Sequence, residues 1–226
     1  MRIGVNCGHT KSGAGIGAIG FLNESEEVRK VGYRLMEYLK AAGHEVFDCT
    51  NDVATSVNAN LKNIVALANA QKLDHFVSIH FNAGKGRGVE TYTYTGNADN
   101  YPEAGKVCDN LERLGFVNRG VKKGAHLYVV KNTNARAMLI EVCFVDTESD
   151  AELYRNLGAD AIAKAIYNAI TGNAASDSTL KEDCELLASA GIINSPDYWA
   201  KGVEYSDENT ALLIKKFASY VRGVKR

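Results

Sequence analysis

The chain has 226 residues, of which 46% are hydrophobic and 23% charged, with only two prolines. That length and mixture suit one α/β domain, or one domain with a small appendage, and exclude a disordered polymer. The formal net charge is −1, and no apolar run approaches the roughly 18 residues of a membrane-spanning helix, so neither nucleic-acid binding nor membrane insertion is expected. The opening residues, MRIGVNCGHT, hold no long apolar core and no small-residue cleavage site, so no signal peptide is expected and synthesis is placed in the cytoplasm. Five cysteines, Cys7, Cys49, Cys108, Cys143 and Cys184, lie far apart without a C-x-x-C pair, which argues against a disulfide framework. Cys7, Cys49 and Cys143 sit in apolar runs, where inert buried thiols are the commonest outcome.

In chain order, RIGVNC reads as a first strand. From Asn23 to Ala42, Val28, Val31, Leu35 and Leu39 recur at spacings of three and four, the stripe of an amphipathic helix that Gly43 ends. Asn23 and Glu26 have the spacing of a capping box at its start. HEVFDC is a second strand, Ala54 to Gln71 a second helix, HFVSIHF a third strand, and GVETYTYT alternates as a fourth strand, at an edge or antiparallel. Tyr101 to Leu114 is helical, HLYVV reads as a strand, and AMLIEVCFV has the unbroken apolar character of a central strand. A helix over Ala151 to Ile170 closes the series. Strands alternating with helices predict an α/β fold with an open, mostly parallel twisted sheet covered by helices on both faces.

TGNAASDS reads as a linker. The expected division is a larger domain over 1–172, a linker over 173–178 and a small helical domain over 179–226, anchored by Trp199 and Phe217, which docks on the larger domain or on a second copy as a homodimer. Leu180 to Ala190 and Ser206 to Arg222 read as its helices, on either side of GIINSPDYW.

Gly15, Gly17 and Gly20 have the G-x-G-x-x-G spacing of a dinucleotide turn, but GHTKS separates them from the first strand and the next helix starts near Asn23. The pyrophosphate needs those glycines directly between strand and helix, so the stretch reads instead as a loop whose backbone passes close to another group.

His9 follows the first strand and His80 lies near the end of the third; the carboxyl ends of parallel strands share one edge, where ligands bind. Glu141 lies in LIEVCF, where an isolated carboxylate is costly to bury, so it is either paired structurally or poised for proton transfer. Glu24 extends the buried stripe of its helix, and is either a ligand or an acid placed favourably at a helix start. Two histidines and a carboxylate are a catalytic zinc set, and a further carboxylate beside them can move a proton. His44 reads as a surface residue, His75 as structural, and His126 as a residue that lines the cleft or begins a strand.

As an ordered set, Gly8-His9, Gly20 followed by Glu24, SIHFNA, GVETY, NRGVKKGAHLYVV and LIEVCFV resemble the zinc-dependent N-acetylmuramoyl-L-alanine amidases of the amidase-3 family over nearly all of Met1 to Thr171. The resemblance implies an open α/β sheet, Zn2+ held by His9, Glu24 and His80, and Glu141 as the catalytic acid/base. It implies hydrolysis, in peptidoglycan, of the amide between the lactyl group of N-acetylmuramic acid and L-alanine. Asn82 is expected to orient ligand or substrate or to make a strand-end turn, and Arg119 to contact a stem-peptide carboxylate or to be a solvated loop residue. The resemblance implies that 1–172 is the catalytic domain, that the chain acts on the wall after release through a phage holin or mother-cell lysis, and that the C-terminal segment binds cell wall, dimerises or covers the catalytic domain. The rivals are a cysteine-dependent peptidoglycan hydrolase using Cys7 or Cys143 and a non-catalytic wall-binding module. TKSGAG after His9, Cys143 in place of a common glycine, and VDT depart from the family pattern and touch the substrate rim.

Overall fold

The computed structural model describes residues 1–172, 180–189, 191, 214, 215, 217 and 218. Its contacts divide into two units, Met1–Ala175 and Ser176–Arg226. The first unit runs β1 (Arg2–Cys7), β2 (Ser12–Gly13), α1 (Glu24–Ala41), β3 (Glu45–Asp48), β4 (Val53–Ala54), α2 (Val57–Asn69), β5 (His75–Asn82), β6 (Val89–Thr93), α3 (Pro102–Arg113), β7 (Asn118–Lys123), α4 (Tyr128–Asn132), β8 (Arg136–Phe144) and α5 (Glu148–Thr171). Six strands form one sheet in the order β3-β1-β5-β8-β6-β7. Four of its pairings are parallel and only β6 against β8 is antiparallel, so the sheet is open and mostly parallel.

Apolar spacing accounts for the layers. Val28, Val31, Leu35 and Leu39 of α1 are fully buried in a cluster with Val5, Ile79, Ile140 and residues of α3 and α5. The opposite face packs Phe76, Ala137 and Leu139 against Ile64 and Val65 of α2 and Val129 and Val130 of α4. β8 is therefore covered on both faces, as its unbroken apolar run implies.

Three local expectations change and a fourth is met. Asn23 does not cap α1: its Nδ2 donates to Glu26 Oε1 at 3.1 Å, and the helix start rests on the acidic first turn of Glu24, Glu26 and Glu27. The second helix begins at Val57, later than Ala54, because Val53 and Ala54 pair with Ser12 and Gly13; Ser56 then caps α2 by accepting from Ala59 N at 3.1 Å. GVETYTYT supplies β6, antiparallel to β8 as one of its two expected settings, with β7, drawn from NRGVKK, outside it. HLYVV is not a strand: its residues from Tyr128 start α4, with Val129 and Val130 buried and Lys131 and Asn132 exposed. A short apolar run fits either element, and as a helix it buries Val129 and Val130 against Ile64, Phe76 and Leu139.

In the second unit, α6 (Leu180–Ser189) occupies the expected helix, with Cys184 and Leu187 buried. Phe217, expected as a core anchor, is 48% exposed. Trp199, residues 173–178 of the linker, most of GIINSPDYW and most of Ser206 to Arg222 lie outside the described residues.

Candidate metal centre and active site

The strand order reverses between β1 and β5, which opens a crevice at their carboxyl ends. His9 follows β1 and His80 lies near the end of β5, so both reach that crevice. Glu24, the first residue of α1, completes the group: one donor atom each from His9, Glu24 and His80 lies within 4.8 Å of the others. His9 Nε2 is 3.0 Å and His80 Nδ1 3.3 Å from Glu24 Oε1, and the two imidazoles stand edge to face with centroids 4.7 Å apart.

Local contacts aim each side chain. His9 has a left-handed backbone, φ 65, unusual for a residue with a Cβ. Its Nδ1 donates to Gly15 O at 3.1 Å, since a carbonyl only accepts, and this turns Nε2 toward Glu24. The buried Arg29 guanidinium donates to His9 O at 3.1 Å and to Asp52 Oδ1 at 2.6 Å, and Ser25 Oγ donates to Thr10 O at 2.7 Å. Glu24 Oε2 accepts from Ala18 N at 2.9 Å and Oε1 from Phe81 N at 3.0 Å. A Cβ on Gly8 would lie 2.4 Å from His80 Nε2, and one on Gly17 would lie 2.8 Å from Glu24 Oε2. The glycine loop is thus the close-packed cover of this cluster.

The charges follow from shared protons. Burial alone would raise the Glu24 pKa, but hydrogen bonds from His80 and His9 outweigh it and hold the carboxyl well below its usual range. Burial lowers His80; at His9 burial also lowers, and the Glu24 carboxylate reverses the sign to a net rise.

Glu141 sits directly opposite His80 in the β5–β8 register and opposite Glu90 in the β6–β8 register. Residues opposed in a sheet point to the same face, so Glu141 stands between the histidine cluster and Glu90. Its Oε2 is buried without a hydrogen-bond partner among the described residues, and burial, reinforced by the Glu24 and Glu90 charges, pushes its pKa well above the carboxylate range.

Two of the three remaining candidates bond Glu90, a buried residue that reading of the sequence did not single out. Asn82 Nδ2 donates to Glu90 Oε1 at 2.8 Å, while Asn82 Oδ1 makes the expected turn by accepting from Ala83 N at 2.9 Å. Arg119 Nε donates to Glu90 Oε2 at 2.7 Å and its guanidinium lies over the Phe144 ring, 5.1 Å from the centroid. His126 is exposed and meets this group only through the edge of Tyr92, at 6.1 Å between centroids. The alternation of GVETY, with Glu90 and Tyr92 on one face, was the available signal. Arg29 was also missed, hidden in the solvent-facing composition of α1.

The cysteine alternative has no activated thiol: burial raises Cys7 to about 11 and Cys143 well above its usual value. His75 is structural, with Nδ1 2.9 Å from Tyr101 Oη.

The sequence model of the N-acetylmuramoyl-L-alanine amidases of the amidase-3 family matches residues 3–172. The chain belongs to this family. An uncharacterised protein of Clostridium perfringens (strain 13 / Type A) is 38% identical over 178 residues, 75% of this chain and 51% of its own. The endolysin of Bacillus phage SPP1 is 31% identical over 159 residues, 67% of this chain and 57% of its own. Among solved structures, the catalytic domain of the CD27L endolysin targeting Clostridia Difficile aligns with a TM-score of 0.69 at 28% identity, covering 76% of this chain and 97% of that one. The chain spans about half the length of the curated relatives it matches. Among the described residues no helix is long and apolar enough to cross a membrane.

A tetrahedral zinc with bonds near 2.0–2.1 Å sets its ligand atoms roughly 3.3 Å apart. The separations of 3.0 and 3.3 Å about Glu24 Oε1, two nitrogens and a carboxylate oxygen, fit such an ion. The members of the amidase-3 family are generally zinc-dependent, which agrees with this donor set.

Proposed function

We propose that the chain is a zinc-dependent hydrolase of peptidoglycan that cleaves the amide between N-acetylmuramic acid and L-alanine. One observation supports this above the others: a carboxyl with one buried, unpartnered oxygen, Glu141, lies in register with His80 of the three-donor cluster. His9, Glu24 and His80 would hold Zn2+, which would supply a Lewis acid for the water and the carbonyl. Glu141 takes the proton from the attacking water as a carbon–oxygen bond forms at the lactyl carbonyl. It then delivers that proton to the alanine nitrogen as the carbon–nitrogen bond breaks, releasing an acid and an amine. A raised pKa suits this double role, because the group must hold the proton between the two transfers. Asn82, Arg119 and His126 belong to the substrate side of the same face.

The domain division goes with this reading: 1–172 catalytic, 173–178 linker, 179–226 a small helical domain that attaches to wall or self-associates, which sedimentation of the full chain measures. Cytoplasmic synthesis followed by release through a holin or mother-cell lysis completes the proposal.

Mass spectrometry of products from purified peptidoglycan tests it. Muropeptides with a newly freed lactyl carboxylate and L-alanine amine are expected, and a chelator abolishes them. Wall binding without release would assign a binding module instead, and chelator-resistant hydrolysis would overturn the zinc reading.

A further inference from the structure

The register of the sheet lines up four polar residues on neighbouring strands. His80 on β5 opposes Glu141 on β8, Glu141 opposes Glu90 on β6, and Glu90 faces the bulge on β7 that holds Arg119 and Gly120, between the pairs Val89–Asn118 and Thr91–Val121. With strands about 4.8 Å apart, Arg119 lies roughly 10 Å along this row from Glu141 and on the side away from the metal cluster.

Glu90 is the hub of that end. Its side chain is buried, and it accepts from Asn82 Nδ2 at 2.8 Å, Tyr92 Oη at 2.9 Å and Arg119 Nε at 2.7 Å. A buried carboxylate with three donors is satisfied and stays ionised: burial raises its pKa, and the Arg119 and Tyr92 bonds reverse the shift downward. The bond uses Nε of Arg119, so the two terminal nitrogens remain for another acceptor. The side chain of Arg119 is 37% exposed, and its flat face rests on Phe144, whose ring in turn packs against Gly86. The guanidinium is thus held from two directions.

We propose that Arg119 is a specificity-determining residue that reads a carboxylate on the leaving peptide, and that Glu90 is the positioning residue that sets its fork. Paired terminal N–H groups match a carboxylate bidentately, and an arginine fixed beforehand loses little side-chain entropy on binding. The row decides which part of the substrate is read. With the scissile carbonyl at the metal end and Glu141 at the amide nitrogen, the chain beyond that nitrogen runs toward Glu90 and Arg119. The inference rests on the proposed amide hydrolysis and adds to it a chemical class, a carboxylate beyond the alanine.

Two soluble substrates test it: a muramoyl-L-alanyl dipeptide with a free carboxylate on the residue after alanine, and its carboxamide twin. The parent enzyme is expected to prefer the acid by roughly 10- to 100-fold in kcat/KM. Arg119→Met and Glu90→Gln each collapse that preference, with the change larger in KM than in kcat. Calorimetry with the Glu141→Gln protein reads the same preference as binding, without turnover. Equal handling of both substrates by the parent overturns the inference, as does a Glu90→Gln enzyme that keeps the full preference. A Glu90→Gln enzyme that loses kcat alike on both assigns Glu90 to Glu141 and also overturns it. Arg119 is partly exposed, so Arg119→Met decides the matter if Glu90→Gln does not fold. A parent with zinc bound that cleaves neither substrate sinks the amidase reading itself, which separates the two failures.

Discussion

At the scale of single residues, the site is built on strain and close approach. Gly17 has φ 78 and no room for a Cβ between Glu24 and His9. Gly17→Ala is expected to push two donors apart and weaken zinc binding by at least tenfold, measured by competition with a chromogenic chelator. Glu141→Gln is expected to lower kcat by about 100- to 10,000-fold with zinc content unchanged. The same substitution has a pH signature in metal-free protein. A carboxyl whose folded pKa is raised contributes stability below its unfolded value, about 4.3, and loses it as pH rises through the folded value. Glu141→Gln has no such loss. The Tm advantage of the variant over the parent is therefore near zero at about pH 4 and widens as pH rises, as calorimetric scans across pH would record; a gap that narrows would contradict the raised pKa.

At the scale of elements, α1 does more than cover the sheet. It supplies Glu24, and Ser25 beside it and Arg29 about one turn on grip the Thr10 and His9 carbonyls, so one rigid helix fixes the left-handed backbone that aims His9. Asp52 holds the guanidinium from the β3–β4 connection. Arg29→Lys keeps the charge but cannot serve His9, Ser25 and Asp52 together. It is expected to reduce zinc affinity by roughly 10- to 100-fold, the range found when groups behind metal ligands are removed. A visible spectrum of the cobalt-substituted protein that changes shape would show displaced ligands, whereas an unchanged spectrum with a lower Tm would leave Arg29 a purely structural brace.

At the scale of the whole molecule, the ligands come from three separated places in the chain, so ion binding and folding are linked. Zinc at 100 times its dissociation constant is expected to stabilise by about 2.7 kcal/mol, or about 5–10 °C in Tm for a unit of this size. His9→Ala removes that shift, and a shift that survives would place the ion elsewhere. The contact division near Ala175 leads to a further expectation: chain ending at Gly172 keeps the zinc-dependent Tm and the hydrolysis of soluble muropeptides, while losses confined to intact wall would assign wall attachment to the remainder.

Local pattern was sufficient wherever the determining forces are local or scale with buried apolar area. The stripe of Val28, Val31, Leu35 and Leu39 specifies a helix and its inward face, and AMLIEVCFV specifies a strand buried on both sides. Residue chemistry was likewise enough to nominate His9, Glu24, His80 and Glu141, because histidines at strand ends and a carboxyl in an apolar run are unusual in themselves. Strand pairing is another matter. Nothing within a strand says which neighbour it takes, so only the tertiary structure put Glu141 opposite His80, made Glu90 the partner of Arg119, and left HLYVV to start a helix packed on β8 and α2. The physical reason is that register is a contest among distant segments for one set of backbone hydrogen bonds, and its outcome is settled by the packing of the whole sheet.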